Sequence, residues 1–165
     1  KNPNWTNDSW VEKAPWQELK ADYQGWHKLV QQVIDRVPKE QCYRWALCDH
    51  QPLGQWSSNR VTLLGDAAHA TLPFLASGAV MAIEDAKILQ RALDENETVE
   101  RGLDSYQRNR LKRTAKIQNR SRQAGLLYHL PSRFMRRTVF KALNFRSGSN
   151  EHFLPEYDAC TIPLV

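Results

Sequence analysis

No run of roughly eighteen apolar residues occurs anywhere in the sequence, which leaves no candidate for a membrane-spanning helix. Cysteine is scarce as well. Cys42, Cys48 and Cys160 form no CxxC pair and leave an odd thiol, so a disulfide framework is excluded and the pattern fits reduced thiols in a cytoplasmic protein. The five histidines keep no ligand-like spacing with one another or with the cysteines, and no metal site is expected. Internal repeats, low-complexity tracts and a recognisable signal peptide are missing too. So is an initiator methionine: the chain starts Lys1-Asn2-Pro3 and its first methionine is Met81, as expected of a piece of a longer polypeptide.

What remains is the composition of a soluble globular protein, with 41% hydrophobic and 25% charged residues, six tryptophans and a formal net charge of +5. The stretch Arg60–Ala92, RVTLLGDAAHATLPFLASGAVMAIEDAKILQRA, carries most of the information. Val61–Leu64 reads as a short buried strand ending in a turn at Gly65. The Asp66 carboxylate then stands at the strand's carboxyl end, the edge where ligands sit in open α/β sheets. Its side chain reaches only a close partner, such as a ribose or ribityl hydroxyl. Ala67, Ala68 and Ala70 around His69 leave room for something flat beside the backbone. Pro73 fixes φ and removes a donor. Ala76-Ser77-Gly78-Ala79 then opens a helix with almost no side chain, where free N–H groups and the helix dipole favour an anion or an electron-rich oxygen.

Upstream, Asp8–Val37 reads as helical, with Ser9 and Glu12 as a capping box and Pro15 in the first turn. A second helix follows Gly25, its apolar face built from Leu29, Val30, Val33, Ile34 and Val37 and its end set by Pro38. Trp5, Trp10, Trp16 and Trp26 read as packing residues rather than an aromatic box. Gln41–Asp49 alternates and predicts a strand, with Tyr43, Trp45 and Leu47 on one face. Asp49 is expected to be a turn residue paired with Arg44 or Arg60.

The helix from Gly78 to about Leu93 shows Val80, Ile83, Ala86, Leu89 and Leu93 down one side, widened by Met81, Ile88 and Ala92, which predicts burial on more than one side. Glu84 and Asp85 interrupt it and are expected to support a neighbouring loop. Asp94–Thr98 caps a second long helix, about Val99 to Leu130, dense in Arg and Lys. Leu103, Tyr106, Ile117, Ala124 and Leu127 interrupt the charges and no stacking aromatics accompany them. A solvated or inter-domain face is therefore expected rather than a nucleic-acid surface. Arg133–Leu143 is a further basic amphipathic stretch, Arg146–Asn150 a loop, and Phe134, Phe140 and Phe145 are expected to pack locally.

The GDAAH sequence, the proline four residues after its histidine, the small-residue turn containing Gly78 and the Glu84-Asp85-Ala86 of the helix resemble the second flavin-binding motif of FAD-dependent aromatic-ring monooxygenases. The resemblance runs from YRWALCDHQPLGQW (Tyr43–Trp56) to YDACTIPLV (Tyr157–Val165), and in particular toward the salicylate and 3-hydroxybenzoate hydroxylase branch. It implies an α/β fold: a mostly helical segment with a few strands, from the C-terminal part of a Rossmann-like monooxygenase, without the N-terminal GxGxxG that holds the FAD pyrophosphate. The implied divisions are 1–40 as the helical end of a substrate domain, 41–98 as an FAD-binding segment and 99–165 as a C-terminal helical region.

By the same resemblance, Asp66 accepts a ribityl hydroxyl, Gly78, Ala79 and Val80 offer N–H groups to the pyrimidine edge of the flavin, and Pro73 lines the reaction cavity. The implied cofactors are FAD with NADH or NADPH as co-substrate. The implied partners are a small aromatic acid, the N-terminal half of the same enzyme and a second copy in a homodimer. No catalytic residue is assigned in this chain; His69 is expected to be a hydrogen-bonding residue of the turn rather than a general base. Two positions depart from the pattern: Ser77 stands where the branch has Gln, and Val80 where more distant members have Asn. An inert remnant and a basic helical binding module are the alternatives.

Overall fold

The computed structural model describes residues 11–130, 132–146 and 156–165. The chain divides between Leu47 and Cys48 into two compact units. In the first, helix α1 (Trp16–Asp22) and helix α2 (Lys28–Asp35) pack together, followed by a 3-10 turn at Lys39–Gln41. Pro15 occupies the N-cap position of α1, so the helix begins at Trp16 and not near Asp8. Ser9 lies outside the described residues. Glu12, the other half of the expected capping box, instead pairs with Arg44 at 3.3 Å. The stretch before Trp16 makes an isolated antiparallel bridge, Lys13 to Tyr43, with Arg44 N–H donating to Glu12 O at 3.0 Å.

Among the described residues, that bridge is what forms of the strand expected over Gln41–Asp49, and Tyr43, Trp45 and Leu47 are exposed. Of the tryptophans expected to pack, Trp16 donates its indole N–H to Ile34 O at 3.1 Å, whereas Trp26 is exposed and meets only the edge of Tyr23. Trp5 and Trp10 lie outside the described residues.

The second unit is helical around a minimal ribbon. Strand β1 (Ser57–Ser58) pairs antiparallel with strand β2 (Val61–Thr62), Ser57 opposite Thr62, through a turn in which Asn59 has φ +52°. The Val61–Leu64 strand is shorter than predicted and not buried: Val61 is 69% exposed, and among the described residues β1 is its one hydrogen-bonded neighbour. A single helical turn, α3 (Asp66–His69), leads to a 3-10 turn at Pro73–Leu75. Next come helix α4 (Gly78–Asp94), helix α5 (Val99–Tyr128) and helix α6 (Arg133–Arg146). The expected loop beyond Arg146 and the Phe145 side chain lie outside the described residues. Phe140 stacks on Tyr128 at 6.0 Å, while Phe134 is exposed rather than locally packed.

Helices α4 and α5 form the body of the unit. The Thr98 hydroxyl caps α5 by accepting from Arg101 N–H, the expected N-cap chemistry. Between them lies a core of Trp56, Ala68, Ile88, Ala92 and Tyr106, onto which Ala159, Ile162 and Leu164 pack from the last residues of the chain. Arg91 anchors that segment by donating to Ala159 O and Ile162 O at 3.1 and 2.9 Å.

The side of α4 that is buried is the one Met81, Ile88 and Ala92 widen, not the main predicted stripe. Met81, Glu84, Asp85, Ile88 and Ala92 face inward, while Val80 and Ile83 are 52% and 71% exposed and Ala86 and Leu93 are exposed too. Apolar residues surround most of α4, so hydrophobicity alone could not choose its inward face; the partners on α5 did. The two helices come closest at Gly102, where an added Cβ would stand 3.0 Å from Ala92 O and 2.9 Å from a Leu93 methyl. Gly102→Ala is therefore expected to destabilise the protein by about 1–3 kcal/mol, despite alanine's higher helix propensity, because backbone must move. Urea unfolding compared with Gly54→Ala, whose added Cβ meets nothing within 4 Å, checks this.

Candidate functional site

The Gly-Asp turn depends on a backbone that glycine tolerates. Gly65 has φ +61° and ψ −139°, outside the range of residues with a side chain, and its α-carbon faces Ala82 of α4 closely enough that a Cβ would touch at 3.5 Å. The turn leaves the Asp66 carboxylate exposed, with Ala67 beside it, while Ala68 and His69 are fully buried behind. Pro73, at the start of its 3-10 turn, is exposed, and Ala76 takes the left-handed conformation at φ +51° to bring the chain into α4. Thr71 lies against the start of α4, its methyl 3.5 Å from where a Gly78 Cβ would be.

Ser77 occupies the N-cap of α4, a position where serine ordinarily bonds the first-turn N–H groups. Here its hydroxyl donates to Leu75 O at 2.8 Å instead and caps nothing. The first intrahelical bond runs from Met81 N–H to Ser77 O, so the N–H groups of Gly78, Ala79 and Val80 precede the helical ladder. Three uncapped donors at the positive end of a 17-residue helix, without bulky side chains at Gly78 and Ala79, suit an electron-rich carbonyl edge. The nearby exposed turn carboxylate suits a hydroxyl.

Behind this surface sits a cluster of buried charge. Asp85 is fully buried; its Oδ2 accepts from Gly65 N–H at 3.0 Å and from His69 Nε2–H at 2.5 Å, and its Oδ1 from Arg110 Nε–H at 2.7 Å. Arg110, also fully buried, reaches Glu84 Oε2 at 2.8 Å and Met81 O at 3.2 Å. Arg113 grips both Glu84 oxygens at 2.8 and 2.6 Å, and the Tyr157 ring covers its guanidinium at 3.8 Å. Burial alone would push the Asp85 carboxyl up, but the His69 hydrogen bond and the Arg110 charge outweigh it and hold the group below its usual range. Burial likewise works against the charged form of Arg110, and Asp85 reverses the effect, so its pKa rises. The Tyr106 phenol, raised by burial and by the Asp85 charge, stays protonated and donates to Leu63 O at 3.2 Å.

Arg110 and Arg113 depart from the solvated or inter-domain basic face expected on α5, because they turn inward to meet carboxylates on α4, whereas Arg101, Arg108, Lys112 and Lys116 of the same helix are exposed. Asp49 pairs with neither Arg44 nor Arg60 but with Arg122 of the same helix at 2.5 Å, since Arg60 engages Glu100 instead. Farther along, Gln118 donates to Ala70 O at 3.0 Å and His50 O at 3.2 Å, and Ser121 to Leu72 O at 2.5 Å. Tyr106, Arg110, Thr114, Gln118 and Ser121 form a buried polar stripe at helical spacing. That period was visible in the sequence, as were two carboxylates in the midst of an apolar helix; both signal a partner, but neither names it.

The FAD binding domain family model matches residues 3–121, most of the chain. The match covers well over half of the chain, and the chain belongs to the FAD binding domain family. Among its relatives is a 3-hydroxybenzoate 6-hydroxylase of Polaromonas naphthalenivorans (strain CJ2), 46% identical over 114 residues that make up 68% of this chain and 28% of the relative. A 6-hydroxynicotinate 3-monooxygenase of Pseudomonas fluorescens is 40% identical over 114 residues, 68% of this chain and 29% of that protein. Among solved structures, a salicylate hydroxylase substrate complex aligns with a TM-score of 0.73 at 31% identity, covering 95% of this chain and 39% of that one. Klebsiella pneumoniae HpxO, complexed with FAD and uric acid, aligns with a TM-score of 0.68 at 26% identity over 87% of this chain and 37% of its own. The chain therefore spans about a third of the length of these relatives, and FAD is the cofactor of the family to which it belongs.

Removing Arg110 tests the cluster. Arg110→Ala leaves Asp85 buried without its cation and is expected to cost about 3–5 kcal/mol at neutral pH. Because the Asp85 pKa is lowered in the folded protein, its contribution is complete above the unfolded value of about 4 and is lost as pH falls through the folded value. Urea unfolding across pH is thus expected to show a stability plateau at neutral pH and a decline only in acid. In Arg110→Ala the decline begins at higher pH, because burial then prevails.

Proposed function

We propose that this chain forms the flavin-facing part of an FAD-dependent monooxygenase that hydroxylates a small aromatic acid, with NADH or NADPH as the electron donor. The observation that carries the reading is the uncapped start of α4: Ser77 turns its hydroxyl to Leu75 O and leaves the N–H groups of Gly78, Ala79 and Val80 available. In this reading those donors hold the pyrimidine edge of the isoalloxazine, where negative charge accumulates on reduction, and the helix dipole stabilises it without reorganisation. Asp66 accepts a ribityl hydroxyl, its reach set by the strained turn at Gly65. Pro73, rigid and without an N–H, bounds the cavity over the ring and excludes water from one side.

FAD, when bound, supplies the activation of oxygen that no side chain provides. The chain's contribution is placement and field, and no residue here is assigned as the catalytic base. The adenosine side of the site and the GxGxxG turn belong, in this reading, to the two thirds of the relatives' length that this chain does not span, and the enzyme is cytoplasmic. The named relatives act on hydroxybenzoate and hydroxynicotinate, which favours a hydroxylated aromatic acid as substrate. A binding module built on the basic helix is disfavoured, since Arg110, Arg113 and Arg122 are engaged by Asp85, Glu84 and Asp49.

The test is a chimera in which this chain replaces the matching segment of the Polaromonas hydroxylase. It is expected to purify yellow and to oxidise NADH faster when 3-hydroxybenzoate is added. A folded chimera that takes up no flavin even from added FAD overturns the reading. Asp66→Ala in the chimera is expected to weaken FAD binding about 10- to 100-fold, as a lost charge-assisted hydrogen bond would, measured by flavin fluorescence titration.

A further inference from the structure

Resting on the monooxygenase reading, we propose that Asp85 is the positioning residue of the flavin turn, setting the direction of Asp66 by holding both ends of the turn on one carboxylate oxygen. Gly65 and His69 bracket Asp66, and their donors converge on the same Oδ2 of Asp85, at 3.0 and 2.5 Å. The oxygen is fully buried with its residue, so water cannot take its place. The second oxygen, Oδ1, is fixed by Arg110 at 2.7 Å, which sets the plane of the carboxylate and so the line along which Gly65 N–H and the His69 ring must point. His69 contributes as a strut. Its Nε2–H is spent on Asp85, its Nδ1 has no partner among the described residues, and the ring leans on Trp56 with centroids 5.5 Å apart.

The far end of the turn is closed from a different direction. Ala70 N–H donates to His50 Nε2 at 3.3 Å, which places the His50 proton on Nδ1, facing Gln51 O at 2.9 Å. Gln118 holds Ala70 O. Asp66, whose carboxylate is exposed, thus sits on a turn whose backbone is fastened at Gly65, His69 and Ala70 by α4, α5 and the 49–51 segment. Within that arrangement Asp85 is the one group that touches two of the three points.

Glu84 supplies a matched control. It is buried beside Asp85 and shares Arg110, yet it bonds no residue of the turn. Asp85→Ala and Glu84→Ala each leave Arg110 with one carboxylate, but only the first frees Gly65 and His69. Amide hydrogen exchange on the full chain is expected to rise at least tenfold across residues 63–70 in Asp85→Ala and to stay near the parent rate there in Glu84→Ala. In the FAD-loaded chimera, Asp85→Ala is expected to raise the FAD dissociation constant tenfold or more, and Glu84→Ala less than threefold.

Equal loosening of 63–70 in both variants, or unchanged FAD affinity in Asp85→Ala, overturns the proposal. If Asp85→Ala fails to fold, Asp85→Leu/Arg110→Met removes both charges together, and the same exchange and affinity criteria apply to it. A parent chimera that binds no FAD overturns the monooxygenase reading instead, and the exchange contrast still decides whether Asp85 holds the turn.

Discussion

Two carboxylates on α4 and two guanidiniums on α5 meet in the interior, and the arrangement of the second unit follows from their need for one another. Glu84 and Asp85 are adjacent in sequence and both buried; Arg110 lies between them and Arg113 completes Glu84. Each ion loses several kcal/mol of hydration on burial, which only close, multiply bonded partners offset. The offset requires that α4 present residues 84 and 85 inward and that α5 present 110 and 113. That requirement selects the rotation of both helices, with Val80 and Ile83 turned outward as a consequence.

The cluster also ties the helices to the loop over residues 63–77. Asp85 takes a backbone donor from Gly65, and α5 continues along the loop with Tyr106 on Leu63, Gln118 on Ala70 and Ser121 on Leu72. Gly125 continues the series by absence: a Cβ there would stand 2.5 Å from the Phe74 ring. The loop has little regular structure of its own, four residues of helix and three of 3-10 turn, so its shape is imposed from the helix behind it. A ligand surface of small residues cannot hold itself, because alanine and glycine offer few side-chain contacts; the rigidity comes from α5.

Much of this fold was legible in the sequence, and unevenly. Helices α4 and α5 were readable, α5 with its cap, because Thr98, the small residues before Gly78 and the long apolar and basic periods are local signals. The GDAAH turn was equally plain, since Gly65 needs a conformation that glycine alone accepts with ease. The strands were not. Alternation over Gln41–Asp49 describes a segment that fits a sheet, but a strand exists only by pairing, and among the described residues its pairing is one bridge at Tyr43. Val61 failed as a buried residue for the same reason.

The sequence by itself determined which family this chain belongs to, where its long helices run and which residues form the Gly-Asp turn, because each rests on local chemistry: cap residues, glycine and proline geometry, and short-range spacing. Tertiary structure decided which face of each helix is interior and what the charges are for. Arg110 and Asp85 are separated by 25 positions, and no local rule links them. Only when α4 and α5 fold side by side do they become neighbours. Two cations of what read as a basic surface, Arg110 and Arg113, then become the inward-facing partners of Asp85 and Glu84.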